Sequence, residues 1–187
     1  MTVSQTELHR VLQKALRGLG VADGVDDEVA DAMVAVATVD PDIVERLLAV
    51  DVTPADIPMI PHDVARYAIA GSVFFAGPAI ADAVSGWSQR AQAQSLVIDG
   101  VDEVALLSRL LGHRLCETRV NRGTDRAEGT LTVVRGIGVT PSATAPGPIT
   151  VSDVAWDGLK ALAARTYVPE STRSRASGAG ANLDDNE

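Results

Sequence analysis

Ser4-Gln5-Thr6-Glu7-Leu8-His9-Arg10-Val11-Leu12-Gln13-Lys14-Ala15-Leu16-Arg17-Gly18-Leu19-Gly20 decides the fold class. Ser4 is a capping residue, and Glu7 stands three positions later, the spacing of a capping box. Leu8, Val11, Leu12, Ala15, Leu16 and Leu19 fall on one side of a helix, and Gly20 supplies the stop. A helix with one apolar stripe needs a partner. The next segment offers it: a second helix is expected from about Asp27 to Val39, with Val29, Met33, Val34 and Ala37 facing inward. Its early acids Asp27, Glu28 and Asp31 suit the positive end of a helix dipole. Asp40-Pro41 then reads as a cap followed by proline at the first helical position, with Ile43, Leu47 and Leu48 as the buried side. Thr53-Pro54 repeats that start signal.

Downstream the pattern mixes. Asp63 to Ala70 reads as helix, and Val73-Phe74-Phe75 fits helix or strand. Gly77-Pro78 is expected to open a helix through Ala79, Ile80, Ala83 and Val84. Ser95–Ile98 reads as a buried strand. Val101–Leu111 reads as a helix with Val104, Leu107, Leu110 and Leu111 in its stripe, ended by Gly112. Leu115–Val120 and Thr130–Arg135 have strand composition, and the turn-rich Asn121–Gly129 between them predicts an antiparallel hairpin. Residues 136–149 read as loop. Ser152 caps a last helix, Asp153–Arg165, carrying Val154, Ala155, Leu159 and Leu162 inward, and Pro169 ends regular structure. The class is α+β, mostly helical: an N-terminal helical hairpin, a small antiparallel sheet and a C-terminal helix plus extended tail. The regions are 1–60 (helical), 61–168 (α+β core) and 169–187 (tail).

The chain has 187 residues, 46% of them apolar, and only 3% aromatic. The core should therefore be aliphatic, with close helix contacts. No stretch reaches the roughly 18–20 apolar residues of a spanning helix; Val64–Ile80 is interrupted by Arg66. The polar start carries no signal-peptide pattern, and the one cysteine, Cys116, has no internal partner. These features point to a reducing cytoplasm. A net charge of −9 disfavours nucleic acid. The charge is uneven: residues 1–63 hold twelve acids and four bases, whereas 109–135 hold six arginines and three acids. That second segment, through Arg114, Arg119 and Arg122, is a candidate anion-binding face.

Tests for chemistry give little. His9, His62 and His113 are far apart in the chain, and Cys116 lies three residues from His113, an offset that places them on opposite faces of a strand. No metal site and no cofactor are expected. Gly136-Ile137-Gly138 lacks the third glycine of a dinucleotide fingerprint. Gly18-Leu19-Gly20 reads as a helix end. Asp26-Asp27 and Asp184-Asp185 read as adjacent solvated acids.

The carboxyl end has a different character. Ala155-Trp156-Asp157-Gly158-Leu159-Lys160-Ala161-Leu162-Ala163-Ala164-Arg165-Thr166-Tyr167-Val168-Pro169 is followed by Ser174-Arg175, Gly178-Ala179-Gly180-Ala181 and Asp185-Asn186-Glu187. This string resembles the C-terminal signature of an uncharacterised bacterial family, a domain of unknown function, whose pattern closes on Asp-Asn-Asp; here the last residue is Glu187. Val3-Ser4, Lys14–Gly20 and Ala76–Asp82 also look similar to that family. The resemblance implies a specific tail and no activity. A second likeness, over Leu8 to Val39, is to the opening helices of the malate/L-lactate/sulfolactate type of NAD-dependent dehydrogenase. There a histidine-bearing stretch follows; here Thr38-Val39-Asp40-Pro41-Asp42 stands in its place.

The first functional expectation is a cytoplasmic accessory or binding protein whose tail docks to itself or to a partner. Tyr167 would supply a flat anchor and Arg173, Ser174 and Arg175 polar donors. Asp184, Asp185 and Glu187 would meet the arginines of 109–135, in the same subunit or in a homo-oligomer. The second is a small metal-independent enzyme acting on an anionic organic acid or amide, with Tyr167, Ser174, Arg175 and the tail acids near Arg114 or Arg119. A dehydrogenase relic or partner subunit is the third.

Overall fold

The computed structural model describes residues 1–50, 60–61, 63–69, 71–91, 95–112, 117–121 (backbone), 129–134 and 147–166. The elements run β1 Thr2–Val3, α1 Gln5–Gly18, α2 Val25–Ala37, α3 Ile43–Ala49, β2 Arg66–Ala68, α4 Val73–Arg90, β3 Ser95–Val101, α5 Val104–Gly112, β4 Glu117–Asn121, β5 Gly129–Val134, β6 Ile149–Thr150 and α6 Asp153–Ala164. The class is α+β and mostly helical. No described helix is long and apolar enough to cross a membrane.

Helix α1 starts where its cap says: Ser4 Oγ accepts from the Glu7 N–H at 3.1 Å. Its stripe packs against α2 on one side and α6 on the other. Leu8, Leu12, Ala15 and Leu16 have no exposure, and the inward residues of α2 are all buried. Helix α5 lies on β4 and β5 and also touches α2 and α4. Leu106, Leu107, Leu110 and Leu111 are all fully buried as a result. One cluster of buried side chains runs from Val3 to Leu162.

The larger sheet has the order β2-β3-β5-β4. The expected hairpin is present, with Thr118 opposite Val133 and Val120 opposite Leu131. Strand β3 pairs antiparallel with β5 and carries one extra residue between Ile98 and Val101. Gly100 takes φ +75° there, so Asp99 faces out while Ile98 and Val101 are buried. The sheet is not wholly antiparallel, because β2 adds parallel to β3. A separate pair, β1 with β6, joins the first residues to the segment before α6.

Four local expectations are corrected. Asp63–Ala70 is not a helix: its centre is β2, tied down by the Val97 N–H to Ala65 O and by the Trp87 indole N–H to Val64 O at 3.1 Å. Pairing with β3 outweighs a weak helical pattern. Helix α4 opens at Val73, not at Gly77-Pro78. Ser72 Oγ accepts from the Phe74 N–H, and Asp102 Oδ1, from a distant loop, accepts from the Val73 N–H at 2.9 Å. Pro78 is carried inside the helix, and the burial of Val73, Phe74 and Ile80 offsets its cost. Asp40 is no cap; its carboxylate receives Arg46 instead. Val154 faces solvent at 83% exposure, because it lies on the side of α6 away from the buried Ala155, Trp156, Leu159, Leu162 and Ala163. The start expected at Thr53-Pro54 lies outside the described residues, as do His62, His113, Cys116 and Gly136–Gly138.

Gly18 is more than a helix end. A Cβ there would sit 2.2 Å from the Leu162 carbonyl oxygen, so α1 and α6 cross with backbones in near contact. At Gly158 the nearest obstacle is Leu48 Cδ1 at 2.8 Å, the tip of a partly buried, flexible side chain. Gly18→Ala should therefore destabilise the protein by roughly 1–3 kcal/mol, the range for overpacking. Gly158→Ala should change stability by less than about 1 kcal/mol, because better helix propensity offsets the shift of Leu48. Urea midpoints of the two variants check the contrast.

Candidate docking site at one end of the fold

The β1–β6 pair, the α2–α3 turn and the start of α6 meet at one end of the molecule. Met1 N donates to Val151 O at 2.7 Å, and the Val151 N–H returns a bond to Met1 O at 2.9 Å. Reciprocal bonding at that pair makes the neighbouring pair, Thr2 with Thr150, the non-hydrogen-bonded kind. Thr150 therefore turns its N–H and C=O away from β1. Among the described residues β6 pairs with β1 alone. Thr150 lines a cleft of about 370 Å³ together with Gly147, Pro148 and Ile149 on one wall and Ala37, Thr38 and Pro41 on the other.

The chemistry of this cleft is acceptor-rich. Pro148 has a carbonyl and no N–H. Pro41 has no N–H to offer the Ala37 carbonyl at the end of α2, and a helix C-terminus carries partial negative charge. Acids stand around it: Asp40 and Asp42 flank Pro41, Glu45 accepts from Ser152 Oγ at 2.6 Å, and Asp153 holds Met1 N at 3.0 Å. The three large apolar side chains exposed among the described residues, Met1, Val39 and Val154, all belong to segments bordering this cleft.

Behind the α2–α3 turn sits a more buried cluster. Arg46 Nε donates to Glu103 Oε1, its Nη2 reaches Glu103 Oε2 at 3.2 Å, and Nη2 also reaches Asp40 Oδ2 at 3.0 Å. Glu103 is 7% exposed. Burial pushes its carboxyl above the usual glutamate range, against the pull of Arg46; Asp102 and Asp40 add to the upward shift. For Arg46, burial works to lower the pKa, and Glu103 and Asp40 more than reverse it.

Two further polar groups lie elsewhere. On the α1–α2 crossing, His9 Nε2 is 3.1 Å from Asp31 and 3.5 Å from Asp27, Gln13 donates to Asp27, and Arg17 meets Asp23 at 2.5 Å. These partners rise by four on α1 and fall by four on the facing segment, an antiparallel ladder that sets the register of the two helices. The four-residue spacings of His9, Gln13 and Arg17 against Asp31, Asp27 and Asp23 are the sign of this ladder in the sequence. Asp26 is also not a solvated acid: it has no exposure and accepts from the Gly24 N–H at 2.7 Å and from Arg17 Nε. On the outer side of the larger sheet, Arg66 pairs with Asp99 at 2.5 Å, and Thr130 Oγ1 donates to Asp99 at 3.1 Å. The hydrogen bond from Arg66, followed by that from Thr130, lowers the Asp99 carboxyl below its ordinary range against the opposing effect of burial.

Of the residues expected to form a site, Tyr167, Arg173, Ser174, Arg175, Asp184, Asp185 and Glu187 lie outside the described residues, as do Arg114 and Arg122. Arg119 is placed by its backbone alone, opposite Thr132 in the β4–β5 ladder. None of them is brought together by the described structure. The cleft was not anticipated, because it joins positions more than a hundred residues apart.

The upward shift of Glu103 gives a pH test. A carboxyl whose folded pKa exceeds its unfolded value binds a proton more tightly when folded. Its burden on stability is then absent at low pH and develops as pH rises from about 4.5 through the folded value. Glu103→Gln should remove that dependence. Relative to the parent, the variant should gain stability as pH rises from 4 to 7. Parallel urea titrations at the two pH values measure it. Comparison with family models, curated proteins and solved structures finds no match, so the site stands on its own geometry.

Proposed function

We propose that this chain is an accessory or binding protein and that residues 169–187 are its docking element, engaging a folded surface of the same chain, of a second copy or of a protein partner. The observation that carries the reading is the gathering at one end of the fold of a strand edge, an acceptor-lined cleft and the exposed Met1, Val39 and Val154. Exposed apolar side chains beside a strand edge with no partner among the described residues are features of a contact surface. The tail is suited to such a surface. Arg173 and Arg175 carry donor forks, Tyr167 offers a ring with a polar tip, and Asp184, Asp185 and Glu187 can meet the arginines of the 109–135 segment. The single cysteine supports action in a reducing compartment, the cytoplasm.

Truncation after Pro169 tests the reading. Self-association or partner retention should weaken at least about tenfold, which corresponds to about 1.4 kcal/mol. Light scattering across a dilution series and thermal unfolding provide the measurements. A truncated chain that matches the full chain in association and in thermal midpoint overturns the proposal.

A further inference from the structure

We infer that Asp23-Gly24, in the turn between α1 and α2, is a site of self-modification. The Gly24 nitrogen attacks the Asp23 carboxyl, and the chain is rebuilt there through a β-linked isoaspartyl bond. The inference is independent of the docking reading.

Aspartate followed by glycine is the step most open to this chemistry, because glycine has no side chain to shield its nitrogen or to restrict its backbone. The chain has three such steps, at 23–24, 99–100 and 157–158, and the fold separates them. The Asp99 carboxylate is held by Arg66 Nη2 at 2.9 Å and by Thr130, in a strand paired on both sides. Gly100 lies against Ile69, whose carbonyl oxygen would be 2.9 Å from an added Cβ. Asp157-Gly158 sits inside α6, in the helical ladder, with Leu48 packed over Gly158. Asp23 has neither restraint. Its side chain is 84% exposed, and its partner Arg17 is itself 42% exposed, so the ion pair holds it weakly. Gly24 takes φ +89°, with nothing within 4 Å of the place a Cβ would occupy. Its N–H points at Asp26 Oδ1, 2.7 Å away, a carboxylate placed to take the proton that the nitrogen sheds.

The step balances with water alone. The Gly24 nitrogen bonds to Asp23 Cγ; its proton and the carboxyl hydroxyl leave together as water, closing a five-membered imide. Water then adds at the Asp23 main-chain carbonyl and opens the ring, so that the main chain runs on through Cβ and Cγ. Mass is unchanged, and the main chain is one carbon longer. That lengthening has a consequence in this fold. The Asp26 carboxylate has no exposure and accepts from the Gly24 N–H and from Arg17. Displacing Gly24 takes a donor away from a buried acceptor, which is destabilising.

The test ages the full chain, folded, at neutral pH and body temperature. Tryptic peptides 18–46, 91–109 and 136–160 carry the three steps separately. Labelled methyl transfer by an isoaspartyl methyltransferase reads each one. Peptide 18–46 should accumulate isoaspartate at least about tenfold faster than the other two, because a strand or a helix reacts only through local opening. Ageing in urea should remove the difference. Asp23→Glu should abolish the signal in peptide 18–46. The thermal midpoint of the parent should fall as the modified fraction grows, while that of Asp23→Glu, aged alongside, should hold. Equal rates in the three folded peptides, a leading signal at Asp99 or Asp157, or a signal in 18–46 that survives Asp23→Glu would each overturn the inference. An unchanged midpoint in fully modified protein would overturn the structural consequence at Asp26.

Discussion

The fold depends on a helix that must be apolar on two sides. Helix α5 lies on the sheet through one side and supports α2 and α4 through the other, and Leu106, Leu107, Leu110 and Leu111 have no exposure. A one-sided stripe would have left either the sheet or the helical layer without a partner. Because β5 and β4 rest on α5, the register of the larger sheet and the position of the N-terminal helices are referred to the same nine-residue element. Asp102 and Glu103, just before it, extend that role. The first accepts from the opening N–H of α4, and the second holds Arg46 of α3. Three helices thus have their ends fixed to one loop.

The other organising contact is the crossing of α1 with α6. It requires backbone approach at Gly18, and it ties the first helix of the chain to the last described one. The β1–β6 pair makes a second tie between the same two segments. Together they bring residues 147–153 beside the α2–α3 turn and so create the cleft. The polar ladder of His9, Gln13 and Arg17 holds the α1–α2 register from the outer side. A slip of one turn there would unpair three residues at once and expose the buried carboxylate of Asp26.

Two surfaces differ in what they can bind. The outer side of the sheet carries a satisfied trio, Arg66, Asp99 and Thr130, whose charges already cancel. The cleft end carries backbone carbonyls and exposed apolar side chains, and its nearby Asp40 and Asp153 are held by Arg46 and the Met1 ammonium. An extended segment gains more at the second surface, because the Thr150 N–H and C=O point away from β1. That difference is why the docking reading favours this end.

Much of the helical framework was legible in residues 4–39 and 152–165, where caps, stripe spacing and glycine stops agree with one another. The β4–β5 hairpin and the core of α5 were legible for the same reason. The misread elements share a different cause. Strand β2 exists because β3 lies beside it, α4 starts at Val73 because Asp102 comes from far along the chain, and Val154 is exposed because α6 packs through its other side. The tail residues singled out as a site lie beyond the described structure, while the cleft and the Glu103–Arg46 cluster gave no local sign. Local spacing determines which segments are helices or strands and which sides are apolar, since those depend on bonds and contacts a few residues apart. Which sides meet, which carboxylates become buried and where the edge of β6 faces a helix end depend on contacts across as many as 152 residues, and those are decided only when the chain has packed.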